Sequence, residues 1–186
     1  DTLNSDPGTK MSYSNIGVSL LGYSIGKIST MNFEEMLMSS VCVPLNMNAT
    51  TTKRGAIENK LVTGYNMFGV NPYWNKPECL YGSGVIMSCT HDLTKFLINF
   101  INSNDSTITR MLSPTHKINN NLSIGLGWLI TNVDDEKIHW HNGGTGGFRS
   151  FAAINKKAKT GIVILSNTQF KAEELQEFGF EILTLK

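Results

Sequence analysis

Apolar residues in the first third of the chain recur at helical spacing. Between 15 and 29, Ile16, Val18, Leu20, Leu21, Ile25 and Ile28 alternate with Gly17, Gly22 and Gly26. That pattern predicts a buried helix whose glycines lower its propensity but permit close packing. A second helix is expected over 32–41, stopped by Pro44. Residues 45–81 show no period and carry turn signals at Gly64, Asn71-Pro72 and Lys76-Pro77. A third helix should start near Thr90, with Leu93, Phe96, Leu97, Phe100 and Ile101 as its apolar stripe. Asp92 falls in its first turn, where a negative charge meets the helix dipole. After about Leu122 the period shortens: 124–133, 137–142, 148–155 and 161–166 read as strands, turned by Asp134-Asp135 and by 156–159. Residues 172–185 close the chain as an amphipathic helix.

Short links between consecutive strands imply antiparallel pairing. The expected class is therefore α+β: a mainly helical and loop region over 1–121, then antiparallel strands and a terminal helix over 122–186, within one domain. Hydrophobic residues at 40% can build a core, and 17% charged residues argue against disorder. A formal charge of +1 without a basic cluster excludes nucleic acid as the main partner. The apolar runs 96–98 and 162–165 are too short to span a membrane, and the polar first ten residues show no signal-peptide pattern. Cys42, Cys79 and Cys89 lack metal-site spacing; one disulfide with a spare thiol and three free thiols both remain open.

Three stretches stand out for their chemistry. Pro7-Gly8 precedes Tyr13-Ser14-Asn15 at the mouth of the first helix. Gly82-Ser83-Gly84 runs into 88–93. His141-Asn142-Gly143-Gly144-Thr145-Gly146-Gly147-Phe148 lies at a strand boundary. Each has a plain reading. Tyr13 could be a half-buried tyrosine, Asn15 a helix N-cap, and the glycines of 143–147 a bulge or tight turn. His139 and His141 share a strand face, but no third metal ligand is evident. Residues 143–149 do not fit the dinucleotide GxGxxG pattern, because Arg149 stands in the last position.

In order and spacing together, these stretches resemble the serine β-lactamase and penicillin-binding-protein superfamily, closest to its class C-like branch of β-lactamases, D-peptidases and esterases. Tyr13-Ser14-Asn15 resembles that branch's Tyr-x-Asn element after a Pro-Gly turn. Pro44-Leu45-Asn46-Met47 resembles its Pro-Leu-Gly-Met stretch. Gly64-Tyr65, the 84–96 segment and Gly125-Leu126-Gly127-Trp128 fit as well. His141-Asn142-Gly143 stands where the family carries Lys/His-Thr/Ser-Gly. The resemblance covers nearly the whole chain and implies a β-lactamase/transpeptidase-like fold, incomplete at its N-terminus. The family's Ser-x-x-Lys nucleophile lies well upstream of Tyr-x-Asn, and only twelve residues precede Tyr13. Two literal matches are expected to be decoys: Ser24-Ile25-Gly26-Lys27 inside the first helix, and Lys159-Thr160-Gly161 in a charged turn.

The resemblance implies acyl transfer through a serine ester. Tyr13 would be the base or proton shuttle, and a phenol of pKa about 10 needs nearby positive charge for that role. The lysine of the absent Ser-x-x-Lys would supply that charge, with a protonated His141 as a second source; Asn15 would hold a substrate amide, and the Gly144 N–H would be an oxyanion donor. Asn142, Gly143 and Thr145 would line the substrate. His at 141 instead of Lys, and Asn at 142 instead of Thr/Ser, favour a D-peptidase or esterase over an efficient β-lactamase. No cofactor is implied. The expected partners are a small-molecule or peptide substrate, and either a complementary N-terminal segment or a second copy across an open sheet edge. The family's usual compartment implies a periplasmic or secreted location. The alternative is a non-catalytic module that binds peptidoglycan-type peptides or a protein.

Overall fold

The computed structural model describes residues 3, 5–133, 135–169 and 172–185; Asp134, half of one expected turn, lies outside them. The helices are α1 (Asn15–Ser29), α2 (Phe33–Leu37), α3 (Thr90–Asn102), α4 (Ser106–Met111) and α5 (Ala172–Thr184). The strands are β1 (Tyr65–Asn66), β2 (Gly69–Val70), β3 (His116–Lys117), β4 (Leu122–Ile124), β5 (Leu129–Val133), β6 (Glu136–Thr145), β7 (Phe148–Asn155) and β8 (Thr160–Ser166). β1 and β2 form a small hairpin, and β3 to β8 make an antiparallel sheet in sequence order.

Each face of that sheet is covered by a helix. Leu97 and Phe100 of α3 pack with Ile108, Leu112, Trp128 and Ile154 on one face. Ile138, Trp140, Phe151 and Ala153 pack with Leu183 of α5 on the other. The alternation of Phe151 and Ala153 against Ile154 is the period-two signature of a strand buried on both faces. A Cβ on Gly179 would collide with the Phe151 ring, so this glycine lets α5 lie close on β7.

Three expectations about element bounds change. The 124–133 stretch is not one strand: it folds back at Gly125-Leu126-Gly127, and Ile124 pairs with Leu129. Gly127 has φ +80°, and a Cβ on Gly125 would collide with the Met111 carbonyl, so both glycines are required by the turn. The strand expected over 137–142 runs on through the glycines to Thr145, which narrows the turn to Gly146-Gly147. The second helix is α-helical only to Leu37 and then widens into a π turn over Met38–Cys42.

The largest change concerns α1. Its only buried residue is Ser19, while Ile16 is 74% and Ile28 85% exposed. Apolar residues lie all round this helix, but only its small-residue side meets the described chain. Ser19 Oγ donates to Ser83 Oγ at 2.9 Å. A Cβ on Gly82 would collide with the Val18 carbonyl, and Phe33 packs onto Gly22. Small residues decide which side can approach, so the bulky ones stay outside.

Asp92 does more than face a dipole. It is 1% exposed and accepts hydrogen bonds from Ala49 N–H at 2.7 Å and Thr50 Oγ1 at 2.8 Å, with Lys95 Nζ 3.3 Å away. Burial pushes its pKa up, but these donors and the Lys95 charge outweigh it and hold the carboxyl below its ordinary value. The three cysteines are free thiols: Cys42 is buried, Cys79 exposed and Cys89 half-buried.

Candidate active site

Ser14, not Asn15, caps α1. Its backbone is extended, and its Oγ accepts the Gly17 N–H at 2.9 Å. Asn15 is the first helical residue; it is exposed and its side chain makes no hydrogen bond among the described residues. The N-cap reading of Asn15 is thereby corrected, and its amide is left for another partner. Tyr13 is 66% exposed rather than half-buried. Its ring centroid lies 6.3 Å from that of His141, with 39° between the planes.

His141 opens the outer half of β6. β5 pairs with β6 only as far as Trp140, opposite Leu129. Beyond it, residues 141–145 pair with β7 alone, so their other edge is open. His141 Nδ1 lies 2.6 Å from the Asn142 carbonyl. A carbonyl only accepts, so Nδ1 carries the proton. Asn142, Gly143 and Gly144 are all exposed. Side chains alternate along the strand. His141 faces Tyr13, while Asn142 faces α5 and donates from Nδ2 to Gln176 Oε1 at 2.9 Å. Arg149 stands opposite Gly144, and a Cβ on Gly144 would collide with its guanidinium.

The turn beyond Thr145 is fastened to neighbouring loops. Gln169 Nε2 donates to the Thr145 carbonyl at 2.8 Å. A Cβ on Gly147 would collide with the backbone of Gly64 and Tyr65, and Tyr73 stacks on Phe148 at 5.1 Å. Trp74 lies against Gly146, and Lys76 Nζ sits 5.0 Å over the Trp74 ring while bonding the Ser83 carbonyl. Thus Tyr13, His141 and the glycine strand come together. Arg149, Gln176, Trp74 and Lys76 join their surroundings without any motif in the sequence to announce them.

The two decoys lie apart. Ser24 is nine residues beyond Asn15, about 14 Å along the helix, and Lys27 lies over the Tyr23 ring at 5.1 Å. Lys159-Thr160-Gly161 turns β7 into β8, at the end of the sheet opposite Gly144. His139 does not pair with His141. It is buried, and its Nε2–H donates to the Leu112 carbonyl at 3.0 Å. Among the described residues no group of three or more His, Cys, Asp or Glu is placed to hold a metal.

A family model described as Beta-lactamase matches residues 1–184. The chain belongs to the β-lactamase family. This β-lactamase-family chain is 32% identical over 177 residues to Protein flp of Staphylococcus aureus (strain NCTC 8325 / PS 47), covering 90% of itself and 35% of that relative. It therefore spans about a third of the length of the curated relatives it matches. The octameric penicillin-binding protein homologue from Pyrococcus abyssi superposes with a TM-score of 0.83 at 24% identity, over 96% of this chain and 44% of that one. A class C β-lactamase superposes with a TM-score of 0.87 at 19% identity, over 100% and 60% of the respective chains. At those identities the two structures speak to fold, and they agree with the β-lactamase/transpeptidase-like arrangement expected from the motifs.

Proposed function

We propose that this chain forms one side of the cleft of a serine acyl hydrolase acting on amide or ester bonds. The observation that supports it best is the meeting of the Tyr13 ring with His141, at the start of an open glycine strand edge. In this reading the nucleophilic serine and its lysine come from protein outside the described residues. Tyr13 takes the serine proton as Oγ attacks the acyl carbonyl, and passes it to the departing amine or alkoxide. Water then attacks the acyl-serine ester by the same route, releasing the acid and restoring the hydroxyl. Asn142 and Gly144, two apart on the strand, address the same edge with their peptide groups. The Gly144 N–H is thereby an oxyanion donor, and Asn15 orients the substrate amide. His141 stabilises negative charge near the phenol. Thr145 has its carbonyl engaged by Gln169, so it shapes the strand end from beneath.

His141 and Asn142 stand in place of the Lys common in β-lactamases and of the Thr/Ser hydroxyl, which favours D-peptides or esters over β-lactams. The test is turnover by the full-length protein of short acyl esters and a chromogenic cephalosporin. Ester hydrolysis that falls at least about 100-fold in Tyr13→Phe supports the reading. Rapid cephalosporin turnover refutes the substrate preference. A folded protein that hydrolyses neither, and whose serines do not label with an acyl-phosphonate probe, is a binding module instead.

A further inference from the structure

Helix α1 and the glycine turn are joined through the loop of residues 74–84. The helix reaches that loop through Ser19, its buried residue, whose Oγ lies 2.9 Å from Ser83 Oγ. Ser83 is buried as well, and its hydroxyl is fully engaged. It accepts from Ser19 and from Lys76 Nζ at 3.3 Å, and it donates to the Leu80 carbonyl at 3.3 Å. A hydroxyl has one proton to give and two lone pairs to fill, so this oxygen has no bond left to make. Lys76 Nζ also bonds the Ser83 carbonyl, and the lysine thereby holds the residue that seats α1.

The same ammonium faces the end of the glycine strand. It lies 5.0 Å over the Trp74 ring, and the edge of that ring covers Gly146. A Cβ on Gly146 would stand 3.0 Å from Cδ1 and 3.2 Å from Nε1 of Trp74. A Cβ on Gly84 would meet Thr145 Cγ2 at 3.2 Å and Lys76 Nζ at 3.7 Å. Lys76 is half-buried, and among the described residues no carboxylate lies within ion-pair distance of it. An ammonium withdrawn from water without a counter-ion is costly unless its protons are bonded. Here a carbonyl, a hydroxyl and an indole face offset that cost, and they belong to the two sides that the lysine links.

We propose that Lys76 is a positioning residue that clasps α1 to the glycine turn and so fixes the 6.3 Å spacing of the Tyr13 and His141 rings. Its meaning for catalysis rests on the hydrolase reading; the clasp itself does not. Lys76 acts through Ser83 and Ser19 on the helix that follows the phenol. Its loss would misplace the proton acceptor, which lowers the rate of the chemical step more than it weakens substrate binding.

The test compares Lys76→Met with Lys76→Arg in the full-length protein, with thermal melts verifying that both fold. Methionine keeps a flexible chain against the indole but has no donor, whereas arginine keeps both charge and donors. The first readout is the NMR cross-peak between the Tyr13 and His141 side-chain protons, assigned by its loss in His141→Gln. It should be lost in Lys76→Met and return in Lys76→Arg. The second readout is hydrolysis of a short acyl ester. In Lys76→Met kcat should fall at least about tenfold while KM changes less than about threefold, and Lys76→Arg should recover most of the rate. A cross-peak and kcat of wild-type size in folded Lys76→Met overturn the clasp. So does a cross-peak missing from the wild type, or a loss that Lys76→Arg does not repair. A cross-peak that depends on Lys76 in a protein that hydrolyses no ester removes the hydrolase reading and supports the clasp. Hydrolysis that needs Tyr13 but ignores Lys76 does the reverse.

Discussion

At the scale of single residues, His139 and His141 diverge although two positions separate them. His141 stands beside Tyr13 at the open edge of β6, whereas His139 is enclosed between β6 and the chain after α4. Burial pushes the His139 pKa down; the Leu112 hydrogen bond opposes this, and the charges of Lys137 and Lys156 add to it. The folded state therefore binds its proton less readily than the unfolded chain. Stability contributed by neutral His139 is fully present above the ordinary value of 6.5 and is lost as pH falls from there toward the depressed folded value. Thermal melts between about pH 7.5 and pH 5 should show a falling midpoint. His139→Gln, which keeps a donor for Leu112 but cannot titrate, should flatten that slope. Equal slopes in the two proteins would mean that another group governs the response.

At the scale of elements, glycines set distances that side-chain chemistry then uses. Gly82 seats α1, and α1 carries Asn15 at its start with Tyr13 just before it. Gly82→Ala would press a methyl group into the Val18 carbonyl, where backbone and not a flexible side chain must yield. We expect a cost of at least about 2 kcal/mol in denaturant melts, with the Tyr13–His141 contact disturbed as well. A variant of unchanged stability would show that α1 shifts freely. The helices and main strands were legible in the sequence because their periods are long and regular. The 124–133 segment reads as one strand in the sequence because Gly125 and Gly127 sit in an apolar run that fits either one strand or a hairpin. The nearness of Tyr13 to His141 was legible through motif order. Arg149 was not, because its place over Gly144 depends on the β6–β7 register. Asp92 was legible as a first-turn acid, but its partners Ala49 and Thr50 lie more than forty residues away.

At the scale of the whole molecule, the exposed apolar residues of α1 and the open edge of β8 leave surface that a soluble protein normally covers. Expressed by itself, this chain should self-associate and bind a hydrophobic dye. A monodisperse, dye-silent isolated chain in light scattering would contradict that. The uneven lengths of β5 and β6 have a different consequence. Because β5 stops at Leu129, five residues of its neighbour overhang like a ledge. An extended ligand resting there would prolong the sheet by half a strand instead of filling a hole. Recognition would then begin with peptide groups common to every sequence, and tolerance toward varied side chains would follow from the architecture itself.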